Sequence, residues 1–315
     1  MRLIFMGTPE AAVPTLQRCL EDGHEVAAVW TQPDRPAGRG NKLSLPPVKE
    51  FALKHGLTVH QPAKIRNEES QNLFASQEAD AAVVVAYGRI LPAGFLRAPR
   101  MGCINVHFSL LPQYRGAAPV NWAIVRGERV SGVTTMLMDE GLDTGAILLQ
   151  RETLIGETET APELMSRLST QGSELLSETL KRLDEIEPRE QSEEKATFAP
   201  VLRREDGLVD WALDAAQIER RVRGLQPWPN AFTKYNSQRL VIWRASVMKD
   251  DQLRGGDVDI PGEGLILKAH GDDLVISCGD ETQLSLQEVQ PEGKRRMGVR
   301  DFINGARVQA GERLG

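Results

Sequence analysis

The chain has 315 residues, 41% apolar and 26% charged, with 38 basic against 44 acidic side chains and a net charge of -6. That balance is ordinary for a globular protein and excludes disordered, collagen-like and coiled-coil classes. At about 150 residues per domain the length predicts two domains, and the acidic total argues against a protein that coats nucleic acid by sheer positive charge.

Leu3 to Met6 reads as a buried strand stopped by Gly7-Thr8-Pro9, followed by a helix through Val13, Leu16 and Leu20 that ends near Asp22-Gly23. A second strand is expected at Val26 to Trp30 and a third, the clearest, at Asp80 to Tyr87. Further strands are expected at Cys103 to His107 and Val133 to Met138, and an amphipathic helix from Ala161 to Leu183. Continuous apolar strands separated by helical stretches predict a mostly parallel α/β sheet covered on both faces. The acidic, apolar-poor stretch from Asp184 to Glu194 has linker composition. Beyond about residue 205, short segments (231–233, 240–243, 264–267, 274–277 and 284–286) alternate with Gly, Asp and Pro turns, which predicts a small β-barrel or sandwich.

Three scattered cysteines (Cys19, Cys103, Cys278) without a CxxC pair support neither a disulfide framework nor a metal site. The N-terminal apolar stretch is too short for a signal peptide, and the longest apolar run falls far below the ~20 residues that span a bilayer. A cytoplasmic location is therefore expected.

Gly7-Thr8-Pro9-Glu10 sits where a nucleotide-binding fold places its phosphate turn, but the further glycines of a dinucleotide fingerprint are missing. On the strand ending at His107, alternation puts Asn105 and His107 on one face and Ile104 and Val106 on the other. Two polar side chains at a strand's carboxyl end are either a site or a satisfied structural pair. Asp139 to Gly145, rich in Asp and Gly, is either a surface turn or a loop holding a carboxylate against a histidine or a water.

Ile104-Asn105-Val106-His107, Ser109-Leu110-Leu111-Pro112, Tyr114-Arg115-Gly116-Ala117-Ala118-Pro119 and Gly141-Leu142-Asp143-Thr144-Gly145 together resemble the signature of folate-dependent formyltransferases. Phe5 to Pro9, the basic loop Thr31 to Gly40, Asp210-Trp211 and Arg223 to Pro229 extend the resemblance over nearly the whole chain, toward the members that act on methionine esterified to initiator tRNA. It implies a Rossmann-like catalytic domain over 1–189 with a mostly parallel sheet, a linker over 190–204, and a C-terminal OB-like β-barrel over 205–315 that binds tRNA. The implied reaction passes the formyl group of 10-formyltetrahydrofolate to the methionyl α-amine by direct attack, without metal; nothing in the sequence suggests an obligate interface, so a monomer is expected. Asn105, His107 and Asp143 are the implied catalytic residues, with the proton assigned to neither His107 nor Asp143. Ser109, Leu110, Leu111 and Pro112, with Tyr87, Ile90 and Leu91, are the implied border of the tetrahydrofolate. The family's aromatic contact to the methionine side chain falls on Ala11 here, which leaves that pocket unassigned, and Phe108 is larger than the residue common at its position.

From Arg220 to Lys249 there are seven basic residues and no acid, interleaved with Trp228, Phe232, Tyr235 and Trp243. Such a run is either a solvated face or a phosphate-contacting stripe. Arg220, Arg223 and Lys234 are candidates there. Lys294, Arg295, Arg296 and Arg300 form a second basic patch, and Arg35, Arg39, Lys42 and Lys49 a third. The resemblance places Arg39 and Lys42 as acceptor-stem contacts. Other acceptors, namely an aminosugar nucleotide, a purine precursor or water, are disfavoured by the stretch from Trp211 to Pro229 and by the basic stripe. A non-catalytic RNA-binding role is disfavoured by the intact Asn105, His107 and Asp143.

Overall fold

The computed structural model describes residues 1–37, 42–248 and 262–315, and the chain divides into two compact units. The first comprises Met1–Pro119, Val130–Leu154 and Glu163–Pro200; the second comprises Val120–Arg129, Ile155–Pro162 and Val201–Gly315.

In chain order the elements begin with β1 (Arg2–Gly7), α1 (Val13–Glu21), β2 (Glu25–Trp30), β3 (Arg35–Ala37), β4 (Lys42–Ser44), α2 (Pro47–Lys54), β5 (Val59–His60) and α3 (Glu68–Ala75). They continue with β6 (Ala81–Val85), α4 (Ala93–Arg97), β7 (Cys103–His107), β8 (Arg115–Gly116) and α5 (Pro119–Arg126), whose residues from Val120 on lie in the second unit. The first unit resumes with β9 (Val130–Leu137), β10 (Ile147–Leu154), α6 (Ala161–Lys181), whose Ala161 and Pro162 lie in the second unit, and β11 (Phe198–Ala199).

The main sheet of the first unit has the order β10-β9-β7-β6-β1-β2-β5. Strands β7, β6, β1, β2 and β5 pair in parallel, as the apolar runs of β1, β2 and β6 predict, and all of β6 is buried. Strand β9 runs antiparallel to β7, and β10 antiparallel to β9, so the sheet is mixed. Strands β2 and β5 lie to one side of β1 and β6 and β7 to the other. The strand order thus reverses at β1, which opens a crevice at the carboxyl ends of β1 and β6. Helix α3 starts on an Asn67 cap that accepts the Ser70 amide proton, with Glu68 and Glu69 in the favourable first turn.

The second unit contains α7 (Ala215–Gly224), β12 (Ala231–Tyr235), β13 (Gln238–Val247), β14 (Ile266–His270), β15 (Asp273–Ser277), β16 (Gln283–Pro291), β17 (Met297–Gly298) and α8 (Val299–Ala306). Five of these strands fall on the five short segments expected there. Their antiparallel order is β12-β13-β16-β15-β14, and among the described residues no ladder joins β12 to β14. Among the described residues these pairings make an open antiparallel sheet, which does not establish the closure of the expected barrel. Helix α7 has a reciprocal capping box: Asp214 accepts from the Gln217 amide, and Gln217 accepts from the Asp214 amide. Its Ile218 and Val222 pack with Trp211, Tyr235, Ile242 and Phe302 in one core, where Trp211 Nε1 donates to Thr233 Oγ1 at 3.1 Å.

Candidate active site

Asn105 and His107 sit side by side at the carboxyl end of β7, as strand alternation predicts, and both are buried. The loop between β9 and β10 brings Asp143 to them, with Asp143 Oδ2 3.8 Å from His107 Nδ1. The other ring nitrogen, Nε2, lies 2.9 Å from the Tyr114 carbonyl oxygen. A carbonyl only accepts, so the hydrogen-bond network assigns a proton to Nε2 and turns Nδ1 toward the carboxylate. Asp143 Oδ2 accepts the Gly116 amide proton at 2.8 Å, while among the described residues no donor reaches Oδ1. No hydrogen bond ties down the Asn105 amide among the described residues either. The site thus holds a fixed imidazole, a carboxylate with one free oxygen and an amide with unspent donors.

The Asp143 loop is closed on itself. Asp139 accepts from Thr144 Oγ1 at 2.7 Å and from the Gly141 amide at 3.0 Å. A Cβ at Gly145 would land on the Leu137 carbonyl oxygen, and one at Gly141 on Thr144 Oγ1. Both glycines are therefore demanded by close approach.

These side chains line a cavity of about 720 Å³. Pro9 to Ala11 enter it after β1, Ala86 to Leu91 after β6, and Asn105 to Phe108 from β7. Met136, Met138, Leu142 and Met165 complete a largely apolar wall. Tyr87, Ile90 and Leu91 are all on that wall, and Ile90 is exposed. The Tyr87 carbonyl accepts from Gln32 Nε2 and Thr8 Oγ1, and burial pushes its phenol up from the usual value, opposed by a weaker pull from Arg89. Ser109, Leu110, Leu111 and Pro112 are not on the wall. Ser109 Oγ donates to the Gln113 carbonyl, Thr134 Oγ1 donates to the Ser109 carbonyl, and Gln150 Nε2 donates to the Leu111 carbonyl. Those bonds fasten the segment just behind Asn105 and His107.

The volume suits a bicyclic heteroaromatic with an extension, and the mix of apolar side chains with backbone polar groups suits a pterin. Among the described residues no group of three or more His, Cys, Asp or Glu is arranged to hold a metal ion, and no helix is long and apolar enough to cross a membrane.

Three further residues complete the site: Arg115, which lies within a signature segment, and Gln191 and Glu193, which have no signal in the sequence. Gln191 hydrogen-bonds the carbonyls of Asp143 and Gly145, and buried Arg115 bonds both Gln191 and Glu193. Gln191 and Glu193 lie in the acidic stretch that reads as linker, and their pairing with Arg115 spans more than 70 residues of chain.

The basic candidates separate. Arg39 lies outside the described residues, and Lys42 opens β4, paired through its backbone with Ala37. Lys49 is bound by both oxygens of Asp34, at 2.9 and 2.7 Å, and by Gln61. That ion pair holds the Asp34 carboxyl below the usual range and removes Lys49 from the pool of free cations. Arg223 is tied to Glu219 and to the Glu159 carbonyl. The Arg220 side chain packs over Gly127, with Nε buried. Lys234 is exposed on β12. In the second patch Arg296 pairs with Glu288 over the Trp243 ring, and Arg300 pairs with Asp272. Of the aromatics in the stripe, Tyr235 is core and Trp228 is 54% exposed.

Comparison with known proteins bears on both units. Residues 1–180 match the formyl transferase family and residues 201–307 the formyl transferase C-terminal domain family. The methionyl-tRNA formyltransferase of Caldanaerobacter subterraneus subsp. tengcongensis is 47% identical over 314 residues, 99% of each chain. That of Acidobacterium capsulatum is 48% identical over 319 residues, the full length of both. Among solved structures, the sugar 3N-formyl transferase WlaRD, determined in the presence of dTDP and 5-N-formyl-THF, shares the fold with a TM-score of 0.66 at 17% identity. The match covers 94% of this chain and 99% of that one. With identity near one half along its whole length, the chain belongs to the methionyl-tRNA formyltransferase family.

Proposed function

We infer that the chain transfers the formyl group of 10-formyltetrahydrofolate to the α-amine of methionyl-initiator tRNA. Its product is the N-formylmethionyl-tRNA with which translation starts, and we place it in the cytoplasm as a monomer. The observation that carries this reading is the unspent amide of Asn105 beside the His107–Asp143 pair on one cavity wall.

The bound co-substrate supplies a formyl carbon open to attack by an amine. Asn105 donates an N–H to the formyl oxygen as negative charge builds there, and one such donor is worth about 3 kcal/mol. His107 cannot swing, because Nε2 is held by the Tyr114 carbonyl, so Nδ1 presents its proton or lone pair to the reacting atoms. Asp143 stabilises positive charge on the imidazole through Oδ2 and keeps Oδ1 free to accept a proton from the attacking amine. The proton leaving the amine is thus taken up by the His107–Asp143 pair and returned to the departing folate nitrogen. Tyr87, Ile90 and Leu91 flank the pterin, and Ser109 to Pro112 border it from behind by fixing β7.

We assign catalysis to 1–189 and tRNA binding to 205–315, joined through 190–204. An OB-like barrel in the second part is supported by the C-terminal tail, which bonds both end strands of the sheet. Ile266 donates to the Glu312 carbonyl, and Gly315 to the Lys234 carbonyl. Lys234 and Arg220 are assigned to phosphates there, with Arg223 holding the helix that carries Arg220, and Arg39 and Lys42 to the acceptor stem.

His107→Asn and Asp143→Asn test the site. Each is expected to bind tetrahydrofolate like the wild type in a fluorescence titration and to lose formyl transfer by about 100-fold or more. Wild-type turnover by either variant would overturn the assignment.

A further inference from the structure

His107 is flanked by two residues in the left-handed backbone region, which side chains other than glycine adopt at a cost. Tyr114, whose carbonyl takes the Nε2 proton, has φ 60°, and Asp143, whose carboxylate faces Nδ1, has φ 54°. Something must hold both turns in place.

One segment fastens both. Thr197 Oγ1 accepts the Tyr114 amide proton at 2.8 Å, and the Thr197 carbonyl accepts the Arg115 amide proton at 2.8 Å. Strand β11 then pairs in parallel with β8. On the other side, Gln191 Nε2 donates to the carbonyls of Asp143 and Gly145, both at 2.8 Å. Its Oε1 accepts from Arg115 Nε at 3.0 Å, which leaves the amide no alternative orientation. Arg115 is itself locked by a bidentate pair with Glu193 at 2.9 and 3.0 Å.

We propose that Gln191, anchored by Arg115 and Glu193, is a positioning residue for formyl transfer, which sets the height of Asp143 against His107. The role rests on the formyl-transfer reading of the site. It differs from a general packing role because Gln191 Nε2 bonds the Asp143 and Gly145 carbonyls directly, its other contact being the Met136 sulfur at 3.9 Å.

The test is a double-mutant cycle in steady-state formyl transfer with methionyl-initiator tRNA. Gln191→Leu keeps the bulk and removes the hydrogen bonds. Loss of sub-ångström positioning is expected to lower kcat by roughly 10- to 100-fold, with KM for either substrate changed by less than about twofold. In an Asp143→Asn background the same substitution is expected to cost less than about twofold, because the residue it positions is already disabled. Gln191→Glu keeps the Arg115 contact and sets an oxygen against two carbonyls, so it should reproduce the kcat loss if Gln191→Leu melts below the assay temperature. Full kcat in Gln191→Leu, an equal loss in both backgrounds, a loss confined to KM, or unfolding of both variants would each reject the positioning role. A wild-type protein that forms no formylmethionyl-tRNA, or an Asp143→Asn variant at full rate, would instead reject the reading on which the role rests.

Discussion

Replacing Asn105 by alanine separates the chemistry of the site from its architecture. The side chain is 7% exposed on the wall of a largely apolar cavity, so its N–H acts where water is scarce. A donor aimed at developing negative charge in such a place is worth about 3 kcal/mol, and at 1.36 kcal/mol per tenfold this predicts a kcat lower by roughly 150-fold. The same amide makes no hydrogen bond among the described residues, so deleting it strands no partner. The backbone ladder of Asn105 with Val84 and Met136 is untouched. Stability should therefore change by no more than about 1 kcal/mol, a shift in Tm of about 2–4 °C. Single-turnover formyl transfer under saturating substrates reads the first number and calorimetry the second. A variant that melts like the wild type and keeps its rate within about fivefold, against the loss expected for an oxyanion donor, would refute the oxyanion role. A collapse in Tm would show that Asn105 is a structural residue.

Other outcomes follow from the same geometry. Gly145→Ala drives a methyl group onto the Leu137 carbonyl oxygen and should cost about 3 kcal/mol of stability; a wild-type melting curve would contradict the close approach. The Arg115 guanidinium holds the Glu193 carboxyl below its ordinary value of 4.5. Its folded value thus lies below its unfolded one, so the pair's contribution is complete above about 4.5 and is lost as pH falls through the folded value. The Tm difference between wild type and Glu193→Gln should accordingly be constant at neutral pH and vanish in acid; a difference that grows in acid would reverse the argument. Lys234→Ala should weaken tRNA binding and reduce the slope of log K against log salt by about 0.8. Arg223→Ala should lower the melting temperature of the second unit instead, because that side chain is 13% exposed and bound to Glu219 and Glu159. A slope reduced in Lys234→Ala alone, with melting lowered in Arg223→Ala alone, would support this division; equal slopes or equal melting in the two variants would count against it.

Much of this architecture is legible from residue order alone, for identifiable reasons. The unbroken apolar strands β1, β2 and β6 announce a parallel sheet because both of its faces are covered, and alternation along β7 puts Asn105 and His107 on one face. The antiparallel course of β9 is not legible. Its residues Ser131 to Met136 are buried on both faces, so they carry no alternation and no sign of direction. Helix α7 is short, and its Arg-rich face between capped ends obscures the apolar stripe of Ile218 and Val222. The separation of His107 from Asp143 by 36 positions is bridged only by the fold, although both motifs stand out locally. Gln191 and Glu193 leave no local trace at all, because acidic, apolar-poor composition describes an exposed strap as well as it describes a linker. Charge counting has the opposite failing. Arg223 and Lys49 add to basic stretches in the sequence, yet each is neutralised by an acid, Glu219 one helical turn before Arg223 and Asp34 facing Lys49.

The central claim is that this cavity joins a folate-borne formyl group to the α-amine of methionyl-initiator tRNA. The most direct measurement incubates the protein with 10-formyltetrahydrofolate carrying a labelled formyl carbon and with methionyl-initiator tRNA, methionyl-elongator tRNA or an aminosugar nucleotide in parallel. Mass spectrometry then follows the label. The expected result is labelled formylmethionine on the initiator tRNA, little on the elongator tRNA and none on the sugar, with the initiator signal abolished by His107→Asn. Label appearing on the aminosugar nucleotide, or released as formate with no tRNA product, would contradict it.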